Sequence, residues 1–304
     1  MKNRNQENEQ EPAYFICNIS DCRWNKGAVC TKNVVQGSRE CRQAACIPVS
    51  MIDDNQFRRE FKEEDCVEIT IGFSSKGAQK KWRTLDYQYF IKERFFYEMR
   101  FWNDDLVEII ASDIGKQLGF HCIPQYLGRI NGRNCSYSEY WKDVKFVSFR
   151  KLDKLQRFEE YANAGDRVKY ALDLIWQKTG LDYKEYFYQM TLLDMIVANE
   201  DRHLSNFGVL WDGREYRKAP LFDFGLGLFE TGTEYRGRSL ADARKLIVQK
   251  PFGIWLGALD YLQQIYEPAP FSGVIRIGDI IPNQLAGEYL NCIFTELGIA
   301  YENN

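Results

Sequence analysis

Three side chains that can bind a metal or orient a nucleophile lie close together in NEDRHLSNFGVLWDGREYRKAPLFDFG, residues 199–225. Asp201 precedes Asn206 by five residues, and Asp223 follows in an Asp-Phe-Gly sequence. Transfer of the terminal phosphoryl group of ATP requires bound Mg²⁺, a group that orients the nucleophile, and a cation on the remaining phosphates. Carboxylate and amide oxygens suit Mg²⁺. The spacing therefore predicts Asp201 as the catalytic group and Asn206 and Asp223 as Mg²⁺ ligands.

The cation for the phosphates is expected in the amino-terminal half of the chain. Lys92, in YFIKE, ends a predicted strand and is placed like the lysine of the kinase V-A-I-K strand. Glu108, on the helix that follows, is its expected partner, with Asp104 and Asp105 as alternatives. Upstream, the small residues of FSSKGAQKK suit a loop whose backbone N–H groups approach phosphate oxygens.

Two other residues of the 199–225 stretch are interpreted as structural. We expect His203 to pack against the loop rather than to act as a base, and Arg202 to bridge local carboxylates. The residues around Asp212-Gly213 are typical of a hairpin that returns Asp223 towards Asn206.

Periodicity predicts the elements that must position these residues. Apolar residues alternate in 67–71 and in 87–91, which predicts two strands of a hairpin, and further strands are expected in 123–132 and 144–152. Apolar residues recur at helical spacing in six segments, namely 104–118, 165–178, 183–198, 239–249, 255–266 and 283–297.

The order of these elements predicts an α+β fold with a β-rich amino-terminal lobe and a helical carboxy-terminal lobe. The predicted boundaries are a disordered tail over 1–12, a cysteine-rich module over 13–50, the first lobe over 51–150 and the second over 151–304.

Five of the nine cysteines lie between residues 17 and 46. Clustered thiolates in a reducing compartment are typical of zinc sites, with free or oxidisable thiols as the alternative. The cluster also resembles a small cysteine-rich bacterial module that implies a metal knuckle. The predicted Zn²⁺ ligands are Cys17, Cys22, Cys30 and Cys41.

Composition limits the partners that we expect. The 304 residues are 45% hydrophobic and 27% charged with a net charge of -3, which is typical of a globular protein. No basic tract favours nucleic acid or an anionic membrane as a partner, and no apolar run approaches the roughly 18 residues of a membrane span. The polar first dozen residues lack a secretory signal, so a cytoplasmic location is expected.

The motifs together resemble one family, the HipA-like kinases, a bacterial and phage-type group with a compact two-lobed protein-kinase core. The run from Ser74 to Lys80 is similar to the family's phosphate loop, S-x-x-G-A-Q-x-K. The patterns N-x-D-x-H-x-x-N-F, beginning at Asn199, and L-F-D, beginning at Leu221, follow in the family's order. The resemblance covers about residues 66 to 298.

This resemblance implies ATP and Mg²⁺ as cofactors, serine/threonine protein kinase activity, Asp201 as the catalytic residue and Lys92 as the phosphate lysine. A serine at the position of Ser74 can itself be phosphorylated in the family, which implies autophosphorylation. The implied partner is a protein substrate, whose identity the sequence does not specify, nor does it specify the oligomeric state. The implied nucleotide-binding residues are Ser74, Ser75, Lys76, Gly77, Ala78, Gln79, Lys80, Lys92 and Glu108, with the hinge at Val147 to Phe149.

Three alternatives remain at this point. The D-R-H-x-x-N and D-F-G order also resembles phosphatidylinositol kinases, which implies a lipid or small-molecule acceptor. A pseudokinase scaffold that docks a partner through the zinc knuckle is a second alternative. Transfer of AMP rather than of a phosphoryl group is the third.

Overall fold

The computed structural model describes residues 57–69, 79–97, 100–230, 233–249, 257–278 and 281–303, together with four two-residue strands nearer the amino terminus. These strands pair antiparallel in the order β2-β3-β1-β4. Their bounds are β1 Phe15–Ile16, β2 Asn25–Lys26, β3 Val29–Cys30 and β4 Ile47–Pro48.

A six-stranded sheet dominates the next part of the chain, in the order β5-β11-β12-β8-β7-β6. Neighbouring strands are antiparallel except for the parallel pair β5 and β11. The two strands β9 and β10 form a separate hairpin. The bounds are β5 Phe57–Phe61, β6 Cys66–Glu68, β7 Lys81–Thr84, β8 Tyr89–Glu93, β9 Phe96–Tyr97, β10 Arg100–Phe101, β11 Tyr126–Ile130 and β12 Arg133–Glu139.

The helix α1, Asp104–Gln117, lies between this sheet and the rest of the protein. It contacts β11 and β12 on one side and the helical half on the other. The buried residues Val107, Ile110 and Ile114 recur at a helical spacing. Two acidic residues, Asp104 and Asp105, lie in the first turn, where their negative charge interacts favourably with the helix dipole. Burial of this apolar stripe therefore fixes α1 where its polar residues can reach the sheet.

The second half is mainly helical, and its hydrophobic core also includes buried residues of α1. The helices are α2 Phe149–Leu152, α3 Ala164–Thr179, α4 Lys184–Ile196, α5 Leu240–Gln249, α6 Leu259–Ile265 and α7 Gln284–Glu296. The remaining strands are β13 Lys145–Ser148, β14 Gly208–Trp211 and β15 Tyr216–Lys218, which form one antiparallel sheet, and the parallel pair β16 Val274–Ile277 and β17 Ala300–Asn303.

The mixed α+β class that the sequence predicts is confirmed, and each of the six predicted helices has a counterpart. One prediction is wrong: β6 does not form a hairpin with β8, because β7 lies between them and pairs with both. The Asn131-Gly132 turn that joins β11 to β12 has the left-handed backbone geometry typical of Asn-Gly hairpin turns, with φ of 47° and 73°. The predicted domain boundaries stay a prediction.

The side chains of Cys17, Cys22, Cys30 and Cys41 lie outside the described residues, so the zinc site also stays a prediction.

No helix in the described ranges is long and apolar enough to cross a membrane.

Gly208, the first residue of β14, allows β13 to approach it closely. A Cβ atom at this position would overlap the carbonyl oxygen of Val147 and lie 2.7 Å from the Cα of Ser148, both of them backbone atoms. We expect Gly208→Ala to destabilise the protein by about 1–3 kcal/mol, the usual cost of overpacking. Urea unfolding tests this, with Gly278→Ala as the control, since a Cβ at Gly278 meets no atom within 4 Å. Equal stability of the two variants would contradict the prediction.

Candidate active site

Lys92 lies at the centre of a buried ionic cluster. It stands on β8 with only 8% of its surface exposed, and its ammonium group donates to Glu108 of α1 and to Asp223. The backbone N–H of Phe224 donates to the other oxygen of Glu108 at 3.2 Å. One lysine therefore joins the sheet, the helix α1 and the loop that follows the β14–β15 hairpin.

The alternatives to Glu108 have other partners. Asp105 accepts a hydrogen bond from Nε of Arg94 at 2.8 Å. Asp104 accepts from the backbone N–H of Phe95 at 2.8 Å and from the side-chain amide of Gln79. Both acids of the first turn thus fix the start of α1, and Glu108 is the one placed against Lys92.

Mutual neutralisation keeps Lys92 and Asp223 charged. Burial acts against the charge of Lys92, but Asp223 and Glu108 outweigh it and raise the pKa of Lys92. Burial likewise acts to raise the pKa of Asp223, but the charges of Lys92 and Lys81 hold it well below its usual range. The site therefore presents an ionised carboxylate and a protonated amine across the physiological pH range.

The backbone at Asp223 is held in an unusual conformation. Its φ is +65°, a region that residues with a side chain rarely adopt. The neighbouring residues secure it, because Phe222 O accepts a hydrogen bond from Arg202 at 2.7 Å and Phe224 N–H is bound to Glu108. Strain of this kind persists only where the surrounding structure determines it, and it is typical of functional sites.

Arg202 holds this loop and the 201–206 loop together. Its guanidinium group, 1% exposed, binds the carboxylate of Asp194 through Nε and Nη2 at 2.9 Å. Its Nη1 donates to the carbonyl oxygens of Asn206 and Phe222 at 2.9 and 2.7 Å. The sequence suggested only a local bridge, but this arginine sets the backbone beside both predicted metal ligands.

The ion pair between Asp194 and Arg202 is expected to contribute strongly to stability. Asp194→Ala would leave Arg202 buried without its counter-charge, so we expect a loss of about 3–5 kcal/mol in the free energy of unfolding. The control is Glu215→Ala, which removes an exposed partner of Arg217 and should cost less than about 1 kcal/mol. Guanidinium chloride unfolding of both variants measures the difference, and a similar loss in both would contradict the assignment.

Asp201 lies beside this frame with a half-buried carboxylate. Its backbone N–H donates to the side chain of Asn199 at 3.2 Å, and its carbonyl accepts from Nδ2 of Asn206 at 3.3 Å. Burial raises the pKa of Asp201, the charge of His203 lowers it, and that of Asp223 raises it. The net rise makes this carboxylate a better proton acceptor than an ordinary aspartate.

His203 contacts the loop, as expected, but its side chain is not buried there. Its side chain is 48% exposed, with Nε2 4.0 Å from the Asp201 carboxylate and Nδ1 accepting the N–H of Ser205 at 3.2 Å. Because Nδ1 accepts this hydrogen bond, Nε2 is the ring nitrogen that faces Asp201. The imidazole is therefore solvent-exposed beside Asp201.

The phosphate-loop residues Ser74, Ser75, Lys76, Gly77 and Ala78 lie outside the described residues. The end of the loop is described, and there Gln79 donates to the carbonyl of Glu93 at 2.9 Å and to Asp104. This side chain thus ties the end of the loop to β8 and α1.

The structure corrects the assignment of the loop's last lysine. Lys80 is exposed, and its ammonium group lies 5.6 Å from the centre of the Trp82 ring. Lys81 is the cross-strand partner of Lys92, so both side chains lie on one face of the sheet. Burial lowers the pKa of Lys81, and the charge of Lys92 lowers it further. Counting S-x-x-G-A-Q-x-K from Ser74 also ends at residue 81, a match that the assignment of Lys80 missed.

The hinge prediction is also wrong in part. Phe149 is fully buried, its N–H donates to Phe207 O at 2.8 Å, and its carbonyl accepts from Asp153 N–H at 2.8 Å. Its ring stacks on Phe207 with the centroids 5.1 Å apart. Phe149 is therefore a core residue whose backbone N–H is already bonded and cannot donate to adenine. Val147 lies in β13 and pairs with Val209, and its role at a hinge stays a prediction.

The donor set fits Mg²⁺ bound together with nucleotide phosphates. Nδ2 of Asn206 is directed to Asp201, which leaves the amide oxygen as the atom for a metal, and Asp223 is kept ionised. No group of three or more His, Cys, Asp or Glu side chains in the described ranges is arranged to hold a metal ion. A site with two protein ligands is what Mg²⁺ uses when phosphates and water complete its coordination.

Two solved structures are similar to part of the chain. The crystal structure of a Helicobacter pylori proinflammatory kinase, CtkA, has 21% sequence identity over 62% of this chain and 66% of that chain, with a TM-score of 0.45. A chain of the Shewanella oneidensis MR-1 toxin–antitoxin complex of HipA, HipB and operator DNA has 9% identity over 70% of this chain and 59% of that chain, with a TM-score of 0.37. The match spans less than two thirds of the length of each of these two solved chains. No curated protein matches the sequence.

A family model provides the stronger comparison. The model of the HipA-like C-terminal domain matches residues 73–243, more than half of the 304 residues. The matched range contains Lys92, Glu108, Asp201, Asn206 and Asp223. The chain therefore belongs to the family of proteins with a HipA-like C-terminal domain.

Proposed function

We propose that this protein is an ATP- and Mg²⁺-dependent serine/threonine protein kinase of the HipA-like type. The observation that carries the proposal is the position of Lys92, which is buried between Glu108 and Asp223. Burying these charges is costly, and an apolar cluster of the same size would often be as stable or more stable. A function that needs both signs of charge explains the cluster better than stability does.

The residues divide the work of phosphoryl transfer. Lys92 and Lys81 present two ammonium groups from one face of the sheet to the phosphates that are not transferred. Asn206 and Asp223 would hold Mg²⁺, which when bound offsets the phosphate charge. With nucleotide and Mg²⁺ bound, the ammonium group of Lys92 would contact a phosphate oxygen in place of Asp223 and would keep its bond to Glu108.

Asp201 is the group that accepts the proton of the substrate hydroxyl. The substrate hydroxyl oxygen forms a bond to the terminal phosphorus while the bond from that phosphorus to the ADP oxygen breaks. The hydroxyl proton passes to the carboxylate of Asp201, whose raised pKa favours acceptance. ADP leaves with the electron pair of the broken bond.

Incubation with ATP labelled at the terminal phosphate, and separately at the inner phosphate, tests the proposal. We expect label from the terminal phosphate alone on serine or threonine residues of the protein itself and of a bacterial lysate, identified by mass spectrometry. Transfer of the inner phosphate would show AMP transfer, and label in lipid or small molecules alone would show another acceptor. If neither label is transferred to any acceptor, the result would favour a pseudokinase scaffold that docks a partner through the zinc knuckle.

We further propose that the loop serine Ser74 regulates the kinase by autophosphorylation. A phosphoserine adds roughly -1.5 to -2 charge at neutral pH, which would repel ATP phosphates from the loop. We expect Ser74→Asp to lower ATP affinity about tenfold or more, and Ser74→Ala to prevent any slow loss of activity during preincubation with Mg²⁺-ATP. Ser75→Ala is the matched control. The prediction fails if the wild-type protein gains no phosphate on Ser74 and keeps full activity.

A zinc site formed by Cys17, Cys22, Cys30 and Cys41 stays part of the proposal. Such a knuckle would provide a docking element separate from the catalytic residues.

A further inference from the structure

Glu230, seven residues after Asp223, has its carboxylate buried between the amino-terminal ends of two helices. Only 6% of the residue is exposed. Its Oε2 accepts the backbone N–H of Asn103, the residue before α1, at 3.1 Å. Its Oε1 accepts from Nδ2 of Asn283, the residue before α7, at 2.9 Å. One side chain thus connects α1 to a helix of the second half.

The electrostatic setting favours a carboxylate at this position. The amino-terminal end of a helix carries partial positive charge, and Glu230 lies at two such ends. The side chain of Asn103 makes no capping hydrogen bond in α1, so Glu230 provides an acceptor at this helix end. Arg94 is also protonated throughout, because Asp105, Asp104 and Glu230 outweigh the effect of its burial on the pKa of Arg94.

The backbone before Glu230 is held in a conformation that residues with side chains disfavour. Leu228 and Phe229 have φ of 49° and 66° and are both buried. Leu228 N–H donates to Val197 O at 2.7 Å, and Asn283 Nδ2 donates to Leu228 O at 3.1 Å. Asn283 thus binds this strained turn and Glu230 together. Backbone strain of this kind persists only where contacts with the surrounding structure determine the conformation of the residues.

The connection bears on the reaction because α1 carries Glu108. Asn103 is five residues before Glu108, so a shift of the first turn of α1 would move Glu108 relative to Lys92. We propose, on the basis of the proposed function, that Glu230 is a positioning residue whose bonds to Asn103 and Asn283 hold Glu108 against Lys92. Glu230 itself lies outside the set of residues assigned to nucleotide or metal.

The test combines turnover with a measurement that does not need activity. The variants are Glu230→Gln, which keeps the size of the side chain, Glu230→Ala, Glu108→Gln and the double variant Glu230→Ala/Glu108→Gln. Glu288→Gln, an exposed position on α7, is the control. Circular dichroism and thermal unfolding identify variants that are folded at the assay temperature.

We expect Glu230→Ala to lower kcat by about 10- to 100-fold, as small displacements of catalytic groups do. The double variant should lose no more than Glu108→Gln alone, because both changes then act through the same contact. The proposal is overturned if the losses of kcat in the two single variants multiply in the double variant. It is also overturned if folded Glu230→Ala or folded Glu108→Gln keeps full turnover.

The second arm measures acetylation of each lysine by acetic anhydride without ATP, followed by peptide mass spectrometry. In Glu230→Gln, labelling of Lys92 should rise several-fold while exposed Lys116, on the last turn of α1, keeps its wild-type rate. Unchanged labelling of Lys92, or a uniform rise at every lysine, would overturn the positioning role. If the wild-type protein transfers no phosphate but Lys92 responds as expected, the proposed function fails and the positioning role stands.

Discussion

Asp201→Asn is expected to reduce the rate of phosphoryl transfer by about 10²- to 10⁴-fold, the range for loss of a general base. The amide cannot accept the hydroxyl proton, yet it has nearly the same shape as the carboxylate. The backbone bonds of Asp201 to Asn199 and Asn206 do not depend on the carboxylate, so the loop should keep its form. Single-turnover kinetics with labelled ATP would measure the loss.

Nucleotide binding separates this prediction from a general loss of structure. Calorimetry with Mg²⁺ and an ATP analogue should give nearly the wild-type affinity for Asp201→Asn. Asp173→Asn, at an exposed position on α3, is the control and should turn over normally. Wild-type turnover in folded Asp201→Asn would remove Asp201 from the catalytic role.

Asp223→Asn is expected to weaken Mg²⁺-dependent ATP binding by at least about 100-fold, since loss of residues that only support a metal ligand already costs 10- to 100-fold. Asparagine tolerates the left-handed φ of +65° better than most residues, so the turn should persist. The variant removes the ionised oxygen from the metal and one of the two counter-charges of Lys92.

Titration of Mg²⁺ at fixed ATP analogue tests this expectation directly. The wild-type protein should show binding that rises steeply with Mg²⁺, and Asp223→Asn should show weak binding with little response. An unchanged Mg²⁺ dependence in the variant would assign the metal to other residues. Together with Asp201→Asn, this separates the loss of the proton acceptor from the loss of the metal.

The helices could be predicted well because their apolar residues repeat at one period. In α3, α4 and α7 the apolar stripe faces the core of the second half, and the predicted limits differ from the observed ones by only a few residues. The missed strands have a physical reason. The central strand β12 buries Cys135, Ser136, Tyr137 and Ser138 in succession, so it shows no alternation of polar and apolar residues.

Residues of the candidate site were predictable where a motif fixes their spacing. The contact between Lys92 and Glu108 was expected and is present, whereas the ion pair of Lys92 with Asp223 was not predicted. Arg202 was underestimated because its partners, Asp194 and Phe222, come from other segments. Phe149 was misassigned because tertiary packing, and not local sequence, decides that its N–H bonds to Phe207.

The most direct test is a crystal structure of the protein with a non-hydrolysable ATP analogue and Mn²⁺, whose anomalous scattering locates the metal. We expect the ion to contact the side-chain oxygens of Asn206 and Asp223 at about 2.0–2.2 Å. Lys92 should contact a phosphate oxygen while it keeps Glu108, and Asp201 should face the terminal phosphate. A nucleotide bound elsewhere, or a metal that touches neither Asn206 nor Asp223, would contradict this account.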